Sequence, residues 1–183
     1  MKRTILGAVI GAIILFVWQF LSWGLINFHE KAQQYTPNQD AILSALAANL
    51  PGEGGYLLPN VPANATEEEQ NKLWEDMKGK PWASVQYHKS HNQSMAMTST
   101  RQIIVNFIIV WLFCWLVQKF NIRSFTNIFL SGLAVGLIVF LNSPYTGSIW
   151  YEWFDTMAHF LDAMVCWGLI GLVIGALFKH KTA

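Results

Sequence analysis

Asp155, His159 and Asp162 follow one another at spacings of four and three residues, which places all three on one stripe of a helix. An imidazole between carboxylates can pass a proton or hold a hydrogen-bonded ion pair. The surrounding residues are apolar, and an ionisable side chain inside a membrane is read by default as functional. At 1.5 Å per residue, Asp162 lies about 10 Å below Asp155. An ionised carboxylate facing lipid at that depth costs about 2.5 to 3.5 kcal/mol. Asp162 is therefore expected to face neighbouring helices, with His159 as its nearest partner and Gln19 or Asn106 across the interface. Asp155, at the start of the helix, also reads as a helix-initiating carboxylate that suits the dipole. His159 with Asp162 also reads as a structural pair.

A second constellation is His88-Lys89-Ser90-His91-Asn92-Gln93-Ser94-Met95-Ala96-Met97. Imidazole and thioether together suit copper, and thioethers favour its reduced form. His88, His91, Met95 and Met97 are the metal ligands of this alternative, although no strict ligand spacing recurs and Met near a membrane surface also serves as an apolar anchor. Hydrolytic motifs are missing: His29-Glu30 lacks the second His of HExxH, and neither GxSxG nor a phosphate-binding glycine loop occurs. A haem role for His29 with His159 rests on two isolated histidines. Cys114 and Cys166 lie within apolar runs without a CxxC pair and read as packing residues.

These residues must be positioned by membrane helices. The 183 residues are 53% hydrophobic and only 13% charged, with net charge +1, where a soluble domain carries roughly 25% charged residues. That balance argues against intrinsic disorder and against binding nucleic acid through a basic surface. A spanning helix needs about 20 apolar residues, and four segments approach this: Thr4 to Phe28, about 102 to 118, 125 to 141, and 155 to 178. Lys2, Arg3, Lys119, Arg123, Lys179 and Lys181 occupy the pieces on one side of these spans without any acidic residue. The positive-inside rule makes that side cytoplasmic, with both termini there. The segment from His29 to Arg101 then lies outside, carrying six Lys or Arg against eight Asp or Glu. The first span, too long for a signal h-region and without a cleavage site after it, reads as an uncleaved anchor. A cysteine-free outer segment points to a bacterial periplasm and hence to the inner membrane.

Within the outer segment, Thr36-Pro37-Asn38-Gln39 predicts a helix from Pro37 to about Asn49, and Gly54 to Pro59 a turn with a short extended piece. Thr66-Glu67-Glu68-Glu69 is a capping box opening a second helix. Residues Trp82 to His88 alternate as a strand does. So small a domain is expected to rest on the outer helix ends. Gly7 with Gly11, Gly132 with Gly136, and Gly171 with Gly175 are GxxxG pairs that allow close helix approach, although glycine is also common in membrane helices generally.

The expected architecture is a mainly α membrane protein: a four-helix transmembrane bundle (1–28 and 102–183) with a small α+β periplasmic domain, 29–101, inserted between helices 1 and 2. Polar residues gather in the outer halves of the spans, so Gln19, Asn106, Asp155, His159 and Asp162 are expected to line an outward-facing pocket. The leading function is non-catalytic and needs no cofactor: an accessory, assembly or sensor subunit that contacts the lipid bilayer and a membrane or periplasmic protein. The alternatives are periplasmic copper handling and proton-coupled transport of a small solute.

Overall fold

The computed structural model describes residues 2–178; Met1, and Lys179 and Lys181 of the charge argument, lie outside the described residues. Four helices are long and apolar enough to span a membrane, and a two-stranded sheet is present. In chain order the helices and strands are α1 (Lys2–Phe20), α2 (Gln39–Asn49), β1 (Gly54–Leu58), α3 (Glu67–Asp76), β2 (Ala83–Tyr87), α4 (Met95–Lys119), α5 (Phe125–Phe140), α6 (Thr146–Trp150) and α7 (Thr156–Phe178). The spanning helices are α1, α4, α5 and α7, with α1 extended by a π-helical turn, Leu21–Leu25, and α5 joined to α6 by another, Leu141–Tyr145.

Two of these helices run further than hydropathy predicts. Polar Thr98 to Arg101 continue α4 back to Met95, with the Thr100 hydroxyl donating to the Ala96 carbonyl at 2.8 Å. Asn142, Ser143 and Pro144 look like a helix stop. Instead, the wider π turn takes in Pro144, which cannot donate a backbone hydrogen bond, and the span reaches Trp150. Between α4 and α5 the chain reverses at Asn121, whose φ of 54° is left-handed, a conformation asparagine tolerates after a helix. Ser124 then caps α5, its hydroxyl accepting from the Asn127 amide.

The spanning helices, with the described residues 2–34 and 93–178, form one compact unit. Within it α5 packs on α7, and α1 packs on both α4 and α7. Val110, Phe113, Cys114 and Val117 of α4 meet Cys166, Trp167, Ile170 and Ile174 of α7, with Leu15 and Ile128, in one apolar core. Glycine sets the closeness of these contacts. A Cβ at Gly132 would lie 2.6 Å from the Trp167 carbonyl oxygen, and one at Gly136 2.7 Å from that of Ala163. Gly171 abuts the Phe129 backbone, Gly175 the Phe125 ring and backbone, Gly11 the Val110 side chain, and Gly7 the tips of Ile174 and Cys114.

Tyr35–Asn92 is the second unit. Its strands pair antiparallel, Gly54 opposite Tyr87 and Leu58 opposite Ala83. The capping box at α3 is complete: the Thr66 hydroxyl accepts from the Glu69 amide at 3.2 Å, and the Glu69 carboxylate accepts from the Thr66 amide at 2.8 Å. Helix α2 begins two residues after the predicted Pro37. The Asn38 amide donates to the Thr36 hydroxyl in a local turn, and Asn38 takes the N-cap position without a side-chain capping bond. No residue of this unit is fully buried. Leu57, Val61, Leu73, Trp74 and Met77 line an open cavity of about 360 Å³ beside α3.

Candidate functional site

The densest polar arrangement lies where α1 ends and α7 begins, and its centre is His29. Trp18 and Ser22 stand four residues apart on α1 and its π-helical extension, facing α7. Within that extension the Ile26 amide bonds to the Leu21 carbonyl at 2.8 Å and the Phe28 amide to the Ser22 carbonyl at 2.9 Å. Asn27 then reverses the chain with φ 56°, and a short 3-10 turn, Glu30–Ala32, follows. The reversal brings the His29 ring back over the mouth of the bundle.

There both ring nitrogens meet carboxylates. His29 Nδ1 lies 2.6 Å from Asp155 Oδ2, and Nε2 lies 3.0 Å from Asp162 Oδ2. The other Asp162 oxygen accepts from Trp18 Nε1 at 2.9 Å and from Ser22 Oγ at 2.6 Å. His159 Nε2 approaches Asp155 Oδ2 at 3.4 Å. The indole of Trp23 stacks on His29, ring centres 3.7 Å apart and 7° from parallel. The His159 ring stands edge-on to His29 at 4.8 Å. His29 is fully buried and Asp155 nearly so, whereas the His159 side chain keeps 22% of its exposure.

This geometry fixes a proton count. Two hydrogen bonds from one imidazole to two carboxylates need two protons among the three groups. Either an imidazolium sits between two carboxylates, or a neutral ring sits beside one protonated carboxyl. Both states carry one net negative charge. Asp162 already accepts from Trp18 and Ser22, so the proton facing it belongs to His29 Nε2. The proton between Nδ1 and Asp155 is then the variable one, and it lies close to His159.

The expected site residues separate into two groups. Asp155, His159 and Asp162 gather around His29. Gln19 and Asn106 do not reach Asp162: the Asn106 amide donates to Gln19 Oε1 at 3.3 Å and accepts from Gln102 at 2.9 Å, forming a second network between α1 and α4. Gln19 follows Trp18 by one residue and so points about 100° away from it on the helix. The expected His159 to Asp162 pairing is also replaced. His159 turns to Asp155 one helical turn earlier, and Asp162 is taken by α1 and His29. Asp155 does stand at the helix start, its carbonyl accepting from the His159 amide at 3.1 Å, but its side chain goes to His29 and not to the helix amides.

His29, Trp18 and Ser22 are the members that residue spacing did not single out. An asparagine at the end of a span, two residues before a histidine, is the signal that could have found His29, because asparagine tolerates the left-handed conformation that reverses the chain. His88 and His91 are exposed in the second unit, and Met95 and Met97 are exposed on α4 in the first. Among the described residues, the His, Cys, Asp or Glu ligand atoms that converge are His29, Asp155 and His159, all within 4.8 Å of one another. No family model matches the chain, nor does any curated protein or solved structure.

Proposed function

We propose that the chain is a non-catalytic, multi-pass protein of the bacterial inner membrane, an accessory or sensor subunit whose unit Tyr35–Asn92 binds a partner protein in the periplasm. The observation that carries this reading is the composition of that unit's surface. None of its residues is fully buried, yet it exposes 80% of Tyr35, 63% of Trp74 and 56% of Leu43, and a cavity opens beside Trp74. A domain with so little interior and so many exposed large apolar groups is stabilised when another surface covers them.

The bundle, by contrast, offers a closed hydrogen-bond network. Among the described residues no buried side-chain nitrogen or oxygen lacks a partner. Between Asp162 and Phe178, α7 carries neither carboxylate nor imidazole, so protons have no continuation toward the Lys2 end, which speaks against coupled transport. Lys2, Arg3, Lys119 and Arg123 support a cytoplasmic position for that end, and the cysteine-free insertion favours the periplasm for the other.

Purification of the full chain in mild detergent tests the partner. A stoichiometric protein that accompanies the wild type and is lost with Trp74→Ala, while the chain stays in the membrane, is expected; a chain that purifies alone refutes the reading. Cys114 and Cys166 are buried, so a single Ser90→Cys can report orientation. An impermeant maleimide should label it in intact spheroplasts, and labelling only after lysis would invert the topology.

A further inference from the structure

We infer that His29, Asp155 and His159 form a binding site for one divalent zinc ion at the mouth of the bundle, with Asp162 orienting His29. This inference does not depend on the partner-binding role proposed above. Three observations converge on it.

The first is the ligand set. One ligand atom each from His29, Asp155 and His159 lies within 4.8 Å of the others, and His29 Nδ1 and His159 Nε2 are the nitrogens that meet Asp155 Oδ2. Two imidazoles and a carboxylate, with a fourth position left to water, are a donor set that zinc accepts, while the absence of thiolate and thioether disfavours cuprous copper. Zinc with bonds of about 2.0 to 2.2 Å holds tetrahedral ligand atoms about 3.2 to 3.6 Å apart. The Asp155 to His159 separation, 3.4 Å, already lies in that range. The His29 to Asp155 separation, 2.6 Å, is that of a hydrogen bond. It widens when the metal takes the place of the proton between them, which passes to solvent.

The second observation is the support behind one ligand. A metal-bound histidine characteristically donates its other ring N–H to a carboxylate, which fixes tautomer and ring angle. His29 Nε2 faces Asp162 at 3.0 Å, and Asp162 is in turn held by Trp18 and Ser22. The Trp23 ring lies flat on the imidazole. His29 Nδ1 is thereby held facing Asp155, beside His159, before any ion arrives.

The third is charge. With His29 and His159 neutral, Asp155 and Asp162 supply two negative charges, which balance a divalent ion in a place too buried for an unbalanced one. His159, the most exposed of the four side chains, at 22%, gives the ion its way in.

The test uses the full chain in detergent, stripped by chelator, reloaded with zinc and passed through a desalting column. Metal is then counted by mass spectrometry, and cobalt serves as a spectroscopic substitute. The expected result is one zinc per wild-type chain, and cobalt ligand-field bands of a tetrahedral nitrogen and oxygen site without thiolate charge transfer. His159→Ala should abolish retention while leaving the Asp155-His29-Asp162 hydrogen bonds, and so the fold, in place; near-ultraviolet circular dichroism checks this. The double variant His88→Ala with His91→Ala should still bind one zinc. Asp162→Asn should weaken affinity by about 10- to 100-fold at unchanged stoichiometry, the usual cost of losing an outer carboxylate. A wild-type chain that retains no zinc overturns the inference, whatever the variants do. So does zinc that survives His159→Ala in a folded chain, or that is lost with the His88 and His91 pair.

Discussion

The two ends of the bundle are held together by opposite means. At the end bearing Lys2, Lys119 and Phe125, helices meet through glycine, backbone against backbone or against side-chain tips, around an apolar core. Among the described residues, the Gln118 side-chain amide donates to the Thr4 hydroxyl there, at 2.6 Å. At the other end the same α1 and α7 meet through Trp18, Ser22, His29, Asp155 and Asp162. Van der Waals packing between small residues is non-directional but intolerant of added volume. A buried ionic network tolerates little change of charge, and removing one member leaves the others uncompensated. The first kind of contact is broken by added volume, the second by a lost charge or hydrogen-bonding partner.

The largest effect should come from removing the hub of the polar end. His29→Ala leaves Asp155 and Asp162 facing each other without the proton-bearing ring. Loss of one partner from a buried charged network costs about 3 to 5 kcal/mol. Unfolding of the detergent-solubilised chain in increasing sodium dodecyl sulfate, followed by tryptophan fluorescence, should show that loss. A wild-type midpoint would mean that the polar end contributes nothing to holding α1 against α7. Ser22→Ala is the milder form of the same experiment. It removes one of three donors to Asp162, and a hydrogen bond to a charged group is worth about 1.5 to 3 kcal/mol. Because Trp18 and His29 still hold the carboxylate, the loss should fall below that of His29→Ala; a loss as large would make Ser22, not His29, the critical member.

What could be read without coordinates follows from how local each signal is. The four spans depend on summed hydropathy, and the glycine pairs on a spacing of four, so both are visible in short windows. The Asp155, His159 and Asp162 stripe is visible for the same reason, as is the Thr66 to Glu69 capping box. The identity of their partners is not. His29 stands 126 residues from Asp155, and it arrives there through two deviations from regular helix: the π turn after Phe20 and the left-handed Asn27. A regular α-helix through Leu25 would turn the residues that follow it, His29 among them, to a different angle. The same kind of turn at Leu141–Tyr145 concealed the continuation of the third span, because Pro144 mimics a terminator. Irregular turns are set by tertiary packing, and they carry most of what spacing alone missed.

The glycine end is expected to break next. Gly132→Ala places a methyl 2.6 Å from the Trp167 carbonyl oxygen and 2.9 Å from Gly171 Cα. Neither is a side chain that can rotate away, so α5 must retreat from α7. Overpacking of this kind costs about 1 to 3 kcal/mol, read as a lower unfolding midpoint with the His29 network intact.

Gly7→Ala should do least, and it tests whether the glycine end is uniform. Its added methyl would lie 2.8 Å from Ile174 Cδ1 and 3.1 Å from the Cys114 sulfur, both terminal side-chain atoms. Ile174 can yield by a rotamer adjustment, and replacing a mid-helix glycine recovers about 0.5 to 1 kcal/mol of helix propensity. The two effects oppose each other, so the midpoint should stay within about 1 kcal/mol of wild type, whereas Gly132→Ala should fall clearly below it. If Gly7→Ala destabilises as much as Gly132→Ala, contact with a side-chain tip is as rigid as contact with a carbonyl, and the glycine end is a single tight joint. If it stabilises, Gly7 is spare volume, and closure of that end belongs to α5 and α7 alone.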